Sequence, residues 1–203
     1  MDFITIDFET ATSKWDSPCE IGLTIVKEGM IVDTLEWLIK PHYPEFNYYN
    51  VLIHGIRPEH VAHSPEFDEL WEELHPILEN QFLIAHNAGF DMGVLRKTLD
   101  TYQIPYPNLQ YSCSVVFSRK IWAGLPKYDL KSLCNMHGIS FRHHRAGADS
   151  RATAELSLRA FEAAEIESLS DFEEKLNITV GKLFEGGHHP SIHKNLKKTK
   201  KKE

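Results

Sequence analysis

The stretch FITIDFET near the N-terminus restricts what this chain can fold into more than any other segment. Nearly continuous apolar residues, rich in β-branched types and free of turn formers, read as a strand buried on both faces, in the middle of a sheet covered by helices. The run nevertheless ends in two carboxylates, Asp7 and Glu9, which a side-chain period of two projects from the same face while Phe8 points the other way. Two anions so close repel one another. Either the strand ends there and water solvates both, or a cation sits between them.

Downstream patterning supplies the rest of such a sheet. EIGLTIVKEG and MIVDTLEWLIK read as two strands joined by a Glu-Gly turn, a hairpin beside the first strand. Residues 40–50, with Pro41 and Pro44, read as a loop running on to IHGIRPEH. Ser64-Pro65 opens a helix whose Phe67, Leu70, Leu74 and Ile77 recur at helical spacing as a core stripe. QFLIAH is a short buried strand, and GFDMGVLRKTLDTY is a helix with Met92, Leu95 and Leu99 on one face. PNLQYSCS is a fifth strand, followed by helices in VVFSRKIWAGLP and in YDLKSLCNMHGI, the second stopping at Gly138. FRHHRAG is an irregular loop, and ADSRATAELSLRAFEAAEIES is a long helix of strong helix formers. Strands first and strand–helix alternation afterwards predict an α/β domain over 1–176, with 177–203 as a linker and tail.

The bulk properties narrow the function classes. A chain of 203 residues with 42% apolar and 25% charged residues has the size and composition of one globular domain. No window approaches the ~18 consecutive apolar residues of a helical membrane span, and residues 1–10 lack the basic start of a secretory signal, so a cytoplasmic location and no membrane partner are expected. Cys19, Cys113 and Cys134 are odd in number and far apart, which predicts buried thiols in place of a disulfide framework or zinc cage. Net charge is −7, although the last ten residues, KNLKKTKKKE, hold six Lys; the body is therefore more acidic still. An acidic body argues against a broad basic groove for nucleic acid unless bound metal ions neutralise carboxylates locally.

Two further carboxylates stand where chains often place them for capping alone. Asp91 in HNAGFD and Asp149 in HHRAGADS each open a helix, and singly neither is informative. The combination is specific: a central strand ending in Asp-x-Glu, a strand–helix junction His-Asn-x-x-Phe-Asp, and a helix start His-x-x-x-x-Asp. This set resembles the DEDD 3′-to-5′ exonuclease superfamily in its histidine subtype, the group of ribonuclease T and the proofreading epsilon subunit of DNA polymerase III. The resemblance covers roughly residues 2–165 and extends to SPCEIGLTIVKEG, IHGI and LIAHNAGFDMGVL. In the tyrosine subtype a Tyr lies four residues before the last Asp; that position is Arg145 here. Between the His and the last Asp the family often has Ala-Leu where this chain has Ala146-Gly147, so Gly147 is expected to loosen the loop and to affect turnover more than reaction type.

The resemblance implies a ribonuclease H-like mixed five-stranded sheet flanked by helices. It implies that Asp7, Glu9, Asp91 and Asp149 ligate two divalent cations, Mg²⁺ or Mn²⁺, which turns the repulsion at the end of the first strand into attraction. It assigns His144, selected over the adjacent His143 by its spacing of five from Asp149, as general base. It also assigns Phe8, Thr10, His54, Gly55, Ile56, Asn87 and Phe90 to the pocket for the terminal nucleotide, with His86 as a structural neighbour. The implied activity is release of nucleoside 5′-monophosphates from single-stranded 3′ ends, DNA ahead of RNA, in proofreading or repair with a polymerase or other replication partner. Two alternatives stay open: hydrolysis of short oligoribonucleotides or dinucleotides, and a nucleic-acid-binding scaffold without catalysis. The basic tail reads as a solvated terminus or a tether to nucleic acid.

Overall fold

A computed structural model describes residues 1–193. The chain runs β1 (Phe3–Thr10), β2 (Pro18–Lys27), β3 (Met30–Leu38), α1 (Tyr48–His54), α2 (Pro58–Val61), α3 (Phe67–Leu78), β4 (Phe82–Ala85), α4 (Asp91–Thr101) and β5 (Leu109–Cys113). It continues through α5 (Ser114–Ile121), α6 (Leu130–Met136), α7 (Ala146–Ala163), α8 (Leu169–Leu176), β6 (Ile178–Thr179), β7 (Gly181–Phe184), β8 (Gly187–His189) and β9 (Ile192–His193). The main sheet has seven strands in the order β3-β2-β1-β4-β5-β7-β8, and β6 pairs with β9 in a separate ribbon. β1 lies antiparallel to β2 but parallel to β4, and β4 is parallel to β5. The carboxyl ends of β1 and β4 therefore open on the same edge, where such sheets bind ligands.

The two faces of β1 go to different layers, as its sequence requires. Ile4, Ile6 and Phe8 join Ile21 and Leu23 of β2 in a core beneath α3 and α4. Phe3 faces the opposite core, with Phe117 of α5, Phe161 of α7 and Phe172 of α8. Further along that second face the side chains turn small and polar. Thr5 donates its hydroxyl to the Ser150 carbonyl at 2.7 Å, and Thr24 lies 3.0 Å from the Ser150 hydroxyl, so the N-terminal half of α7 is seated on β1 and β2 by hydrogen bonds.

Several elements differ from expectation. The supposed loop to Asn50 ends in a helix, α1, whose N-cap Asn47 accepts the Tyr49 amide; only His54 of it is buried, so no apolar stripe marks it in the sequence. In α3 the inward residue of the last turn is Leu78, with Ile77 at the margin. Helix α7 starts two residues earlier than its strong formers suggest, at Ala146. Residues 178–193, expected as linker, contain four strands, and β7 pairs with β5 from Leu109–Leu183 to Tyr111–Gly181. Leu183 and Val180 are buried while the hairpin turns at Gly186 with φ 83°. Short strands with Gly and His between them carry too little apolar periodicity to be read. The expected basic tail, from residue 194 on, lies outside the described residues.

Candidate active site

Three elements deliver the four carboxylates. Asp7 and Glu9 come from the end of β1, Asp91 from the first turn of α4, and Asp149 from the first turn of α7. Cross-strand register explains how α7 reaches them. Asp7 pairs with Gly22 on β2, and Gly22 pairs with Glu36 on β3. A Cβ on Gly22 would overlap the Ala146 carbonyl, so the missing side chain opposite Asp7 is the seat of the first turn of α7. Oxygens of Asp7, Glu9 and Asp149 all come within 4.8 Å of one another. Asp91 lies beneath, 1% exposed, accepting the Phe8 amide at 3.1 Å and so tying α4 to the strand end.

This packing forces charge into a poorly solvated place. Burial first, then Asp91, Asp149, Glu9 and Glu20, hold the Asp7 carboxyl well above the usual carboxylate range. Burial and the neighbouring Asp149, Glu20 and Asp91 push Glu9 up to about 8, Arg145 partly offsetting them. Asp91 is pushed up to about 8 by burial, against the amides of Phe8 and of Asp91 itself. Uncompensated carboxylates with converging oxygens are what a hard divalent cation neutralises, and an all-oxygen donor set suits Mg²⁺ or Mn²⁺. The residues present fit such ions.

Histidines frame the acidic cluster. His143 Nδ1 stands 2.8 Å from Asp149 Oδ1, the His144 amide donates to Asp149 Oδ2 at 2.7 Å, and the two rings stack with centroids 3.8 Å apart. His144 Nδ1 is 4.0 Å from Glu9 Oε1, and His144 adopts φ 65°. Burial and the neighbouring His143 lower the His144 pKa, keeping the ring neutral and able to accept a proton near pH 7. A left-handed non-glycine residue stands at the other strand–helix junction too, Asn87 with φ 71°; such backbone is held in place only by its surroundings and gathers at working sites. His86 donates from Nε2 to the Tyr128 carbonyl at 3.0 Å and accepts the Ser114 hydroxyl on Nδ1 at 2.7 Å, and burial pulls it down to about 4, so it is a neutral strut.

Asp7, Phe8, Glu9, Asn87, Phe90, His144 and Asp149 line one cleft of about 460 Å³. Thr10, His54, Gly55 and Ile56 lie beyond its lining, around the end of β1. His54 Nδ1 accepts the Ile56 amide at 2.9 Å and its Nε2 faces the Thr10 carbonyl at 3.2 Å, so both nitrogens are engaged in fixing that turn. Val115, Arg119, Tyr128, Asp129 and Leu130 also line the cleft and went unnoticed in the sequence. Arg119 rests over the Tyr128 ring at 5.5 Å and, among the described residues, is the one Arg or Lys in the lining. Helical periodicity marks buried positions, and nothing in SRKIW distinguishes a cleft-facing cation from a solvated one.

Gly147 is not a loosening element. It is buried, donates its amide to Glu36 Oε2 at 3.1 Å, and would drive a Cβ into the Glu36 carboxylate.

Residues 4–157 match the RNase_T family, described as exonucleases. DNA polymerase III PolC-type of Thermotoga petrophila is 32% identical over 181 residues, which are 83% of this chain and 13% of that protein. The 3′-5′ exonuclease DinG of Staphylococcus epidermidis is 25% identical over 166 residues, 80% of this chain and 18% of that protein. This chain thus spans less than a fifth of the length of these two relatives. Among solved structures, Exonuclease X in complex with 5′ overhanging duplex DNA superposes with TM-score 0.71 at 23% identity, over 85% of this chain and 98% of that one.

Proposed function

Because the chain belongs to the RNase_T family of exonucleases, we propose that it is of the histidine-type DEDD branch, removing nucleotides from single-stranded 3′ ends and releasing nucleoside 5′-monophosphates. The observation carrying this reading is the convergence of Asp7, Glu9 and Asp149 over Asp91, with His144 beside Glu9. Asp7, Glu9, Asp91 and Asp149 would hold two divalent cations, Mg²⁺ or Mn²⁺, which when bound supply charge neutralisation and Lewis acidity toward water and phosphate.

The chain's own groups do the remaining work. His144 takes the proton of the attacking water as the bond from phosphorus to the 3′-oxygen of the penultimate nucleotide breaks. His143 and the His144 amide hold Asp149 in one orientation through both of its oxygens. Phe90 offers apolar surface to the terminal base, Phe8 backs that end of the cleft from the core, and Asn87 reaches the cleft on its left-handed turn. His54 fixes the turn of Gly55 and Ile56 against Thr10, outside the cleft lining, and so steadies the end of β1 that carries Glu9. Arg119 meets a backbone phosphate, a contact that positions without reading sequence. A terminal nucleotide must leave its pair to enter a recessed cleft, hence single strands.

DNA is the favoured substrate, with a role in replication or repair in the cytoplasm beside a polymerase; the PolC-type relatives and the DNA bound to Exonuclease X support this. The test is mass analysis of products from labelled single-stranded DNA and RNA with Mg²⁺, Mn²⁺ or EDTA. Mononucleotides should appear with either ion, faster from DNA, and vanish with EDTA and in Asp7→Ala. Persistent release by Asp7→Ala would refute the assignment. Faster turnover of short RNA would move the chain to oligoribonucleotide hydrolysis.

A further inference from the structure

The first turn of α7 carries Asp149 and follows directly on His144, yet its cap residue, Arg145, makes no side-chain capping bond. A helix start leaves amide donors free, and a buried one needs acceptors from elsewhere. They come from across the sheet. Glu20 on β2, with a fully buried side chain, accepts the Ala146 amide on Oε2 at 2.8 Å. Glu36 on β3 accepts the Gly147 amide on Oε2 at 3.1 Å. Their other oxygens are bridged by Arg145, whose guanidinium donates to Glu20 Oε1 at 2.9 and 2.6 Å and to Glu36 Oε1 at 2.6 Å.

Two carboxylates, one guanidinium and two amides thus form a closed set in which each of these charges has an opposite partner. Three register pairs align it with the site: Glu36 pairs with Gly22, Gly22 with Asp7, and Glu20 with Glu9. Gly147 is the residue that lets Glu36 close in, since any side chain there would collide with its carboxylate.

We propose that Glu20, Arg145 and Glu36 are positioning residues, a clamp between two strands and the start of α7 that holds His144 and Asp149 over Asp7 and Glu9 independently of bound metal. The inference deepens the exonuclease reading and rests on it for its kinetic part. Glu36 touches neither the cleft nor any of the four carboxylates, so its effect on rate must travel through Arg145 and Gly147. Misplacement of a catalytic group by about 1 Å can cost ~10²-fold in rate.

The test uses the full chain with Glu36→Ala, Glu36→Gln and Arg145→Ala. In EDTA, amide hydrogen exchange at Ala146 and Gly147 should accelerate at least about tenfold in Glu36→Ala and Arg145→Ala, while amides of β1 and β4 keep their protection. With Mg²⁺ on single-stranded DNA, below the melting transition, kcat should fall ~10- to 100-fold in both, with KM within about threefold. Glu36→Gln retains an acceptor for the Gly147 amide and should recover part of the rate. Unchanged exchange at Gly147 in Glu36→Ala, or kcat equal to wild type despite a lowered melting temperature, would overturn the proposal. A wild-type chain inactive on every oligonucleotide and ion would sink the exonuclease reading instead, and the exchange data in EDTA would still decide the clamp.

Discussion

Crowded carboxylates make the metal-free protein lose stability as pH rises, and the structure gives the size of the loss. Glu9, 13% exposed in its side chain, has a folded pKa of about 8 against an ordinary 4.5. The sign follows from linkage: a group raised in the fold favours folding fully below its unfolded pKa, and that contribution is lost as pH climbs through the folded pKa. Below pH 6.5 the histidines obscure this. His86 is lowered to about 4, so acid costs stability there as its unfolded counterpart takes up a proton. Between pH 6.5 and 8 the carboxylates dominate, because His86 is neutral in the fold and its unfolded counterpart gives up only its last half proton there, a smaller effect of opposite sign. One proton over 1.5 pH units at about 1.4 kcal/mol per unit is about 2 kcal/mol, and Asp91, also raised to about 8, acts in the same direction. For a chain of this size that is a melting temperature lower by ~4–8 °C. Thermal melting by circular dichroism in EDTA at pH 6.5, 7.25 and 8 measures it. Mg²⁺ or Mn²⁺ at a hundred times its dissociation constant should add about 2.7 kcal/mol and erase the slope. A melting temperature that is flat or rises over this window in EDTA, or no response to either ion, would refute the picture of a cluster short of positive charge.

Other perturbations separate the roles of individual residues. His144→Ala should lower kcat roughly 10²- to 10⁴-fold, measured by single-turnover release of the terminal nucleotide, with the optimum losing its acidic limb. Arg119→Ala should raise KM for single-stranded DNA about tenfold and flatten its salt dependence, with kcat little changed; an unaltered salt slope would remove Arg119 from the substrate path. Gly22→Ala places a methyl group against the Ala146 carbonyl and should destabilise the fold by about 3 kcal/mol in urea titration, with exchange protection lost first in α7.

What the sequence disclosed and what it hid have separate physical causes. Asp7 and Glu9 were legible because a strand repeats every two residues and a buried strand has no other use for charge. Asp91 and Asp149 were legible once both helix starts were placed, since junction and spacing motifs are local. The partners of the His144 turn were not legible. Glu20 and Glu36 look like ordinary strand carboxylates until the register aligns them with Glu9 and Gly22, and register is a non-local property. For the same reason Gly147 read as slack in a loop when it is the fitted face of a contact. His143 and His144 differ by one position in the sequence, yet one ring meets Asp149 and the other faces Glu9.

The hairpin β7–β8 alters where this protein can be cut. β5 would present an open row of amides and carbonyls to solvent if the chain stopped after α8, because β7 is the strand that covers it, and Tyr111 and Leu109 would lose their neighbour Leu183. Bare edges of this kind recruit strands from other molecules. A shortened version ending at 176 keeps all four acidic residues and the histidine pair, and should nonetheless be prone to self-association and precipitation, whereas one ending at 193 retains its own edge cover.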